Sequence, residues 1–584
     1  MNRKQTALIC LLFLLTAVGV RLLSRQDNRF DVTKVEWGVT VEYKEAAQML
    51  LREDFSAYFH NLYYMTHPPG YGVLLALIAG GLGESDQAVQ MVQIVCDAIA
   101  VVIVFLIVSG LLSREIGVLA GLLVAVCPQL AYYPSLILPD SISVLPVLVA
   151  VYCLVIAYRR PRILPVVLAG VFVGISCWLR ANALLLAPFL AATTPVLFAR
   201  GQRLRYAAAL VLGALLVIVP VTIKNFVVFH QFVPLSLGSG QKLLQGIAEY
   251  DRDGRFDIPK TDAGIVRQEA EMFHRPEYLG GLFSGDGIAR DRMRVARGLS
   301  VIRSHKLWYL GVMGRRGISF LRLARVPTVS TRPPNSHSLD VSDAKLVSMA
   351  SPQKLLEGAV ISPGASVSLA ADGQSLTLAG NDSRNGDQMT TAPIKVTTNT
   401  DYLFSVPLDL EKGRILVAVT TSGRKILYTT IVDIPEVITS REPMQILSLP
   451  FATGDAAEVS LVINNAGATS QTRIGTVAMF EQGPTAYRWT RYPRLLVHLV
   501  QIPFITACML PLTLAGIALL AKAREWLALA LLLIVPAYFL CLQSALHTER
   551  RYIIAIHYFL FALAAVPIAV LIKKLQQTIA RVSG

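Results

Sequence analysis

The sequence predicts a polytopic α-helical membrane protein, with about ten transmembrane helices and an extracytoplasmic β-sandwich of jelly-roll type. Three observations predict it. Of the 584 residues, 54% are hydrophobic and 16% charged, with a mean hydropathy of +0.53, which lies outside the soluble range. Apolar runs of crossing length recur toward both ends of the chain, and about 20 such residues are needed to span a ~30 Å hydrocarbon core. Between them, from about 350 to 483, short alternating strands are separated by turn-formers, the pattern of a sandwich.

The apolar runs are 6–23, 88–110, 116–134, 137–158, 163–179, 183–199, 206–223, 495–520, 525–545 and 552–572. The run 71–82 is too short to cross and reads as re-entrant or interfacial. The first run follows Arg3 and Lys4 as a signal peptide would. Its small-residue cleavage signal is poor and Arg21 and Arg25 follow, so it reads as an uncleaved span.

Charge gives the orientation. With the N-terminus cytoplasmic, the inner connections hold Arg114, Arg159-Arg160-Pro161-Arg162, Arg200 with Arg203 and Arg205, Lys522 with Arg524, and Lys573-Lys574. All five obey the positive-inside rule. This accounts for much of the +15 net charge, so membrane lipids are expected partners and nucleic acid is not.

The resulting division is a core at 1–223 with a first periplasmic loop at 24–87, a juxtamembrane helical region at 224–345, the β-domain at 350–483, and about three last spans in 490–584. The localisation implied is a bacterial inner membrane with its working face periplasmic. The seven cysteines all fall in apolar stretches and none lies between 225 and 490. They form no CxxC and no disulfide framework, so they read as small buried apolar residues.

The outward region has two textures. From 286 to 325 it is basic and helix-patterned, with Arg290, Arg292, Arg294, Arg297, Arg303, Lys306, Arg315, Arg316, Arg322 and Arg325 interleaved with Trp308, Tyr309, Leu310 and Phe320. That suits helices at a lipid headgroup surface. The strands further on include Ser375–Leu378, Ile415–Val419, Glu458–Ile463 and Ile474–Phe480. Among their aromatics, Tyr402, Tyr428 and Phe451 are the residues expected to stack on a glycan; the alternative is a spacer domain.

Titratable residues at span ends on one face are the first candidates for chemistry, because charge near lipid is costly unless it works or is paired. They are Glu42, His67, Asp140, Arg180, Lys224, and the group His547, Glu549, Arg550 and Arg551 before the last span. A carboxylate there could deprotonate a hydroxyl, and cations could offset charge on a departing phosphate. Blander roles stand beside these. Glu42 could be a solvated loop acid, Asp140 a helix cap after Pro139, Arg180 and Lys224 snorkelling cations, and His67 a turn residue. No Walker loop, HExxH or GxSxG occurs in a fitting context, which argues against an ATP-driven pump, a zinc protease and a serine hydrolase.

The first span, the long first loop, His67-Pro68-Pro69-Gly70-Tyr71 and the many spans together resemble GT-C glycosyltransferases of family 39, which include protein O-mannosyltransferases and lipid A aminoarabinose transferases. Two further pieces look alike: Pro220-Val221-Thr222-Ile223-Lys224-Asn225-Phe226 followed by Phe232-Val233-Pro234-Leu235-Ser236, and Glu549-Arg550-Arg551-Tyr552. The resemblance covers about 1–330 and 490–575.

It implies that an acid of the first loop activates the acceptor, here Glu42. The family's usual Asp-Glu pair is replaced by Thr40 and Val41, so Glu36 and Asp54 are the substitutes for that role. It also implies that Asp140 is a second acid and that His67 touches a carrier phosphate. Arg180, Lys224, Arg550 and Arg551 are the further phosphate-binding candidates. Whether a divalent metal ion assists stays open. The stretch Asn381–Phe480 lies outside the shared core and looks like a carbohydrate-binding module.

The expected function is transfer of a sugar, with inversion, from a polyprenyl-phosphate donor to a periplasmic glycan, lipid or protein. The alternative is a transporter of lipid-linked glycans. Transporters carry polar or broken midspan segments in matched halves, whereas here Asp97 is the main midspan polar residue.

Overall fold

A computed structural model describes residues 3–30, 38–323, 326–433, 444–467 and 469–583; Glu36 and Arg325 lie outside them. The chain forms two compact units, one of residues 1–328 with 500–584 and one of residues 329–499.

The first unit is helical. It begins with α1 (Arg3–Asp27), α2 (Val39–Leu51), α3 (Phe55–His60), α4 (Gly70–Leu82), α5 (Asp86–Leu111), α6 (Arg114–Val126), α7 (Pro128–Tyr132), α8 (Val144–Arg159) and α9 (Ile163–Leu179). The short α10 (Leu186–Ala191) and α11 (Thr194–Leu197), the long α12 (Arg203–Phe229), then α13 (Ser239–Ala248), α14 (Asp262–Phe273), α15 (Gly287–Ser304) and α16 (Lys306–Phe320) follow. Five described helices are long and apolar enough to cross a membrane, or up to seven if two bent pairs each count as one.

The difference from ten uniform spans has a local cause. Expected span 116–134 bends by 53° between α6 and α7, where Pro128 has no N–H to give. Expected span 137–158 becomes helical only from Val144, which leaves Asp140 in a connection. Expected span 183–199 is not one helix. Pro188 and Pro195 each sit in the first turn of a short helix, α10 and α11, and at their junction the Thr193 and Thr194 hydroxyls donate to the Leu190 and Ala191 carbonyls at 2.6 and 2.8 Å.

The apolar helices bury one charged knot. Arg21 of α1 donates through Nε to Asp97 of α5 and through Nη1 to the Ala125 carbonyl at 2.9 Å, and the Tyr558 hydroxyl also donates to Asp97. Both charges are fully enclosed, a placement tolerable only because each meets the other and further hydrogen bonds.

The basic stretch from 286 to 325 behaves differently from a plain headgroup-facing surface. Arg290 and Arg294 point inward and share Glu269, at 2.7 and 2.6 Å. Arg316 is also buried and donates to the Ser544 and Gly246 carbonyls. Hydrophobic periodicity reads such arginines as a headgroup-facing surface, since it cannot register a partner on another helix.

The second unit carries β1 (Lys345–Ala350), the short helix α17 (Pro352–Leu356), β2 (Val360–Ile361), β3 (Ser366–Leu369), β4 (Leu376–Ala379), β5 (Asn385–Thr390) and β6 (Ile394–Lys395). It continues with β7 (Thr400–Lys412), β8 (Arg414–Thr421), β9 (Ile426–Asp433), β10 (Gln445–Ala452), β11 (Glu458–Ala466), β12 (Gln471–Ile474) and β13 (Val477–Pro484). One sheet runs β1-β13-β7-β12-β4-β3 with β10 also on β7, the other β2-β5-β11-β8-β9 with β6 on β11. Alternate residues such as Val417, Val419, Leu461 and Ile463 fill a common core with Leu376, Phe404 and Leu449, as the two-residue period of a half-buried strand demands.

Tyr402 and Phe451 belong to that core, each 1% exposed with ring centroids 5.7 Å apart. The expectation that they contact glycan is therefore corrected: their alternation with polar neighbours aims them between the sheets.

The chain then runs through α18 (Arg491–Gln501), whose exposed face carries Tyr492, Leu495, Leu496 and Leu499. It ends in α19 (Thr506–Lys522), α20 (Trp526–Gln543) and α21 (Ile554–Ser583). Expected span 495–520 is thus two helices, interrupted around Pro503.

Candidate active site

The first unit draws four distant segments together around Tyr43. In α2, Glu42 faces His67, with Oε2 and Nε2 2.6 Å apart, and both side chains are about one third exposed. His67 is held extended ahead of Pro68 and Pro69, the conformation a following proline favours. Gly70 then lets α4 start against the end of α9, since a Cβ there would lie 2.7 Å from the Trp178 carbonyl oxygen.

The Tyr43 ring packs on the His67 ring at 4.8 Å and meets Tyr71 edge-on at 4.9 Å. Tyr71 donates to Gln93 at 2.7 Å, and Gln93 donates to the Pro134 and Leu136 carbonyls. That chain of bonds fixes the connection carrying Asp140.

Asp140 is 3% exposed and pairs with Arg180 Nη1 at 2.8 Å. Burial pushes its carboxyl up, and the charges of Arg180 and then Arg551 work against that push. The Arg180 guanidinium in turn lies 3.9 Å over the Tyr552 ring. Tyr552 donates its hydroxyl to Glu549 at 2.9 Å, and Asn182 donates to the Tyr552 carbonyl at the same distance. Glu549 also takes an ion pair from Arg551 at 2.7 Å. Burial alone would raise the Glu549 carboxyl, yet the Arg551 and Tyr552 bonds more than offset it and hold it below the usual range.

Burial raises the Tyr43 hydroxyl, and the strongest charges it feels are Arg180 and Asp140. Tyr43 therefore links the Glu42–His67 pair to the Asp140–Arg180 pair.

The helix α13 supplies a cation that sequence reasoning did not single out. Lys242 is half-buried, and burial holds its amine below its ordinary range, while Asp262 and Glu549 pull the other way. Its carbonyl accepts the His547 N–H at 2.8 Å. Gly246 permits this approach, since a Cβ there would lie 2.7 Å from the same nitrogen. The only sequence signal was the Ser236–Gly240 turn before an amphipathic helix, which carries no chemistry of its own.

Two cavities meet at this site. A cleft is lined by Glu42, Tyr43, Tyr58, Tyr63, Tyr64 and His67. A mostly apolar cavity of about 260 Å³ is lined by Leu50, Met65, Val73, Trp178, Val221 and Lys224, among others. Both share Tyr58, Tyr64 and His67 in their walls. Lys224 lies 5.6 Å from the Phe59 ring centroid and has no ion pair among the described residues. Arg550 is exposed and only loosely tied to the Leu323 carbonyl at 3.5 Å. Asp54, a substitute for the acid role, accepts from Ala57 N at 3.0 Å as the cap of α3.

Among the described residues no group of three or more His, Cys, Asp or Glu side chains could hold a metal ion.

Residues 66–223 match the family model of dolichyl-phosphate-mannose-protein mannosyltransferases. The match bears out the resemblance drawn from His67-Pro68-Pro69-Gly70-Tyr71 and includes Asp140 and Arg180. No curated protein matches the chain.

Among solved structures, the oligosaccharyltransferase of Archaeoglobus fulgidus in its apo form is 16% identical, with a TM-score of 0.34 over 51% of this chain and 39% of that one. The match thus spans well under half the length of that protein. ArnT from Cupriavidus metallidurans, bound to undecaprenyl phosphate, is 12% identical with a TM-score of 0.30, over 54% of this chain and 66% of that one. The arabinosyltransferase EmbB from Mycobacterium smegmatis is 10% identical with a TM-score of 0.24, over 82% and 65%.

Proposed function

We propose that the chain is a membrane glycosyltransferase that moves a sugar from a polyprenyl-phosphate carrier to a hydroxyl acceptor. The observation that carries the proposal is the pair of cavities sharing His67, Tyr58 and Tyr64: an apolar one with a single lysine beside a narrow cleft holding a carboxylate. A carrier needs an apolar trench for its tail and cations for its phosphate, and an acceptor hydroxyl needs a base. The family match at 66–223, whose description names a dolichyl-phosphate donor, supports the same chemistry.

In this mechanism the tail lies in the apolar cavity, and the phosphate sits by Lys224 and His67. Glu42 takes the proton of the acceptor hydroxyl. The freed oxygen attacks the anomeric carbon from the face opposite the carrier, so the carbon–oxygen bond to phosphate breaks with inversion. The carrier leaves as a phosphate monoester with one more negative charge, which fixed cations offset in the transition state. Asp140 positions Arg180, stacked on Tyr552, and Arg551 and Lys242 add positive charge beside it. The positive-inside pattern supports a working face on the extracytoplasmic side of a bacterial inner membrane.

The test is mass spectrometry of cell-envelope glycans, lipids and proteins from cells with the native chain and with Glu42→Gln. The expected result is a sugar substituent lost in the variant. Identical envelopes, with both proteins present in the membrane, would overturn the proposal.

A further inference from the structure

The acceptor-side cleft has a construction of its own. Tyr63 is its one markedly open aromatic, 41% exposed, whereas Tyr58 behind it is buried. Its ring is held edge-on to Tyr64 at 5.3 Å, and Tyr64 stacks on Tyr58 at 5.4 Å. The backbone beneath is pinned as well: Tyr63 N donates to Asn61 Oδ1 at 2.9 Å, and the Thr66 hydroxyl donates to the Tyr63 carbonyl at 2.7 Å. A shelf this constrained loses little freedom when something lies on it.

Two carboxylates flank it. The Tyr63 hydroxyl donates to Glu45 Oε2 at 3.4 Å, and Glu42 lines the same cleft. Burial, with the charges of Glu42 and Glu45, keeps that hydroxyl protonated. Lys44, the cation between these acids in sequence, is drawn away to Asp86 at 2.8 Å. Among the described residues lining the cleft, His67 is then the only basic side chain.

On the reading of the site as a glycosyltransferase, we infer that Tyr63, with Glu42 and Glu45, forms the acceptor subsite for a neutral sugar ring, so that the acceptor is a glycan. A pyranose or furanose has an apolar C–H face that fits an aromatic ring and a rim of hydroxyl donors that fits carboxylates. The same wall disfavours a phosphorylated lipid headgroup, because Glu42 and Glu45 are both acids and His67 is already paired with Glu42. It also suits a peptide poorly. Peptides that add to a sheet are gripped through main-chain pairing, while this wall is helical apart from the extended His67 and Pro68 and offers no sheet edge. The acceptor hydroxyl then lies within the cleft that Glu42 lines.

The experiment uses full-length protein in nanodiscs with undecaprenyl-phosphate hexose and pentose donors. Three kinds of acceptor are compared: labelled neutral trisaccharides (gluco-, galacto-, manno- and arabino-), a Ser/Thr-rich peptide, and lipid A. Release of donor sugar to water is followed in parallel. Transfer to at least one trisaccharide is expected. Tyr63→Ala should raise its KM about tenfold with kcat within about threefold, the scale of losing one aromatic contact. Tyr63→Phe, which keeps the ring face, should stay near the native KM.

Transfer to peptide or lipid A but to no trisaccharide overturns the inference while leaving the glycosyltransferase reading intact. So does an unchanged trisaccharide KM in Tyr63→Ala. Donors that lose no sugar to any acceptor or to water overturn the glycosyltransferase reading itself.

Discussion

Replacing Glu42 by glutamine separates a catalytic carboxylate from a structural one. The Glu42–His67 contact is 2.6 Å long, but its side chains are 32% and 28% exposed. A charge-assisted hydrogen bond is worth roughly 1.5–3 kcal/mol when sheltered, and solvent at this exposure reduces that to ~1 kcal/mol or less. Glutamine keeps the size and an acceptor oxygen, so folding should lose under ~1 kcal/mol.

Loss of a general base costs far more, about 10²- to 10⁴-fold in rate, or roughly 3–5 kcal/mol of barrier. The two scales do not overlap. The assay is initial-rate transfer from a labelled polyprenyl-phosphate sugar by purified protein, paired with thermal unfolding of the same samples. Glu42→Gln should lower kcat at least 100-fold, with donor KM within about threefold and an unfolding midpoint near native. Glu42→Asp, withdrawn by one methylene, should fall between. A Glu42→Gln rate within about threefold of native would refute the reasoning and pass the base role to Glu36 or Asp54, or remove it.

Three further outcomes test the surroundings. Asp140→Asn strips the counter-charge from a partly buried Arg180 over Tyr552 and near Arg551; stability should drop by up to about 3 kcal/mol, and adding Arg180→Gln should recover part of it, so a native unfolding midpoint in Asp140→Asn would count against the pair. Lys224→Ala should weaken donor use about 10- to 150-fold, whereas an unchanged apparent donor affinity would mean that the lysine merely snorkels. A fragment of residues 329–490 should unfold cooperatively in urea by circular dichroism, with Phe451→Ala costing about 3–5 kcal/mol; a gradual transition would show that the sheets need the rest of the chain.

Local properties were legible in the sequence because they depend on neighbours along the chain. Apolar length marked α1, α5, α12, α20 and α21, since crossing a hydrocarbon layer is a requirement on one continuous segment. Period-two alternation marked β4, β8, β11 and β13, because each strand must turn one face to a core. The motif around His67 and the acid Glu42 were visible as residues of the right chemistry near span ends.

Partnership was not legible. His67 reaches Glu42 across 25 positions, and Tyr552 meets Asn182 across 370. No local pattern encodes such pairs, because the energy that selects them exists only after the helices pack. The same reason explains why Arg290 and Arg294 read as a headgroup-facing surface until Glu269 was brought beside them. It explains equally why Tyr402 and Phe451 read as open sugar platforms until two sheets closed over them. Sequence determined which segments leave water and which alternate. Tertiary packing decided which charges are neutralised and which aromatics stay open, because desolvation and pairing are properties of the assembled interior.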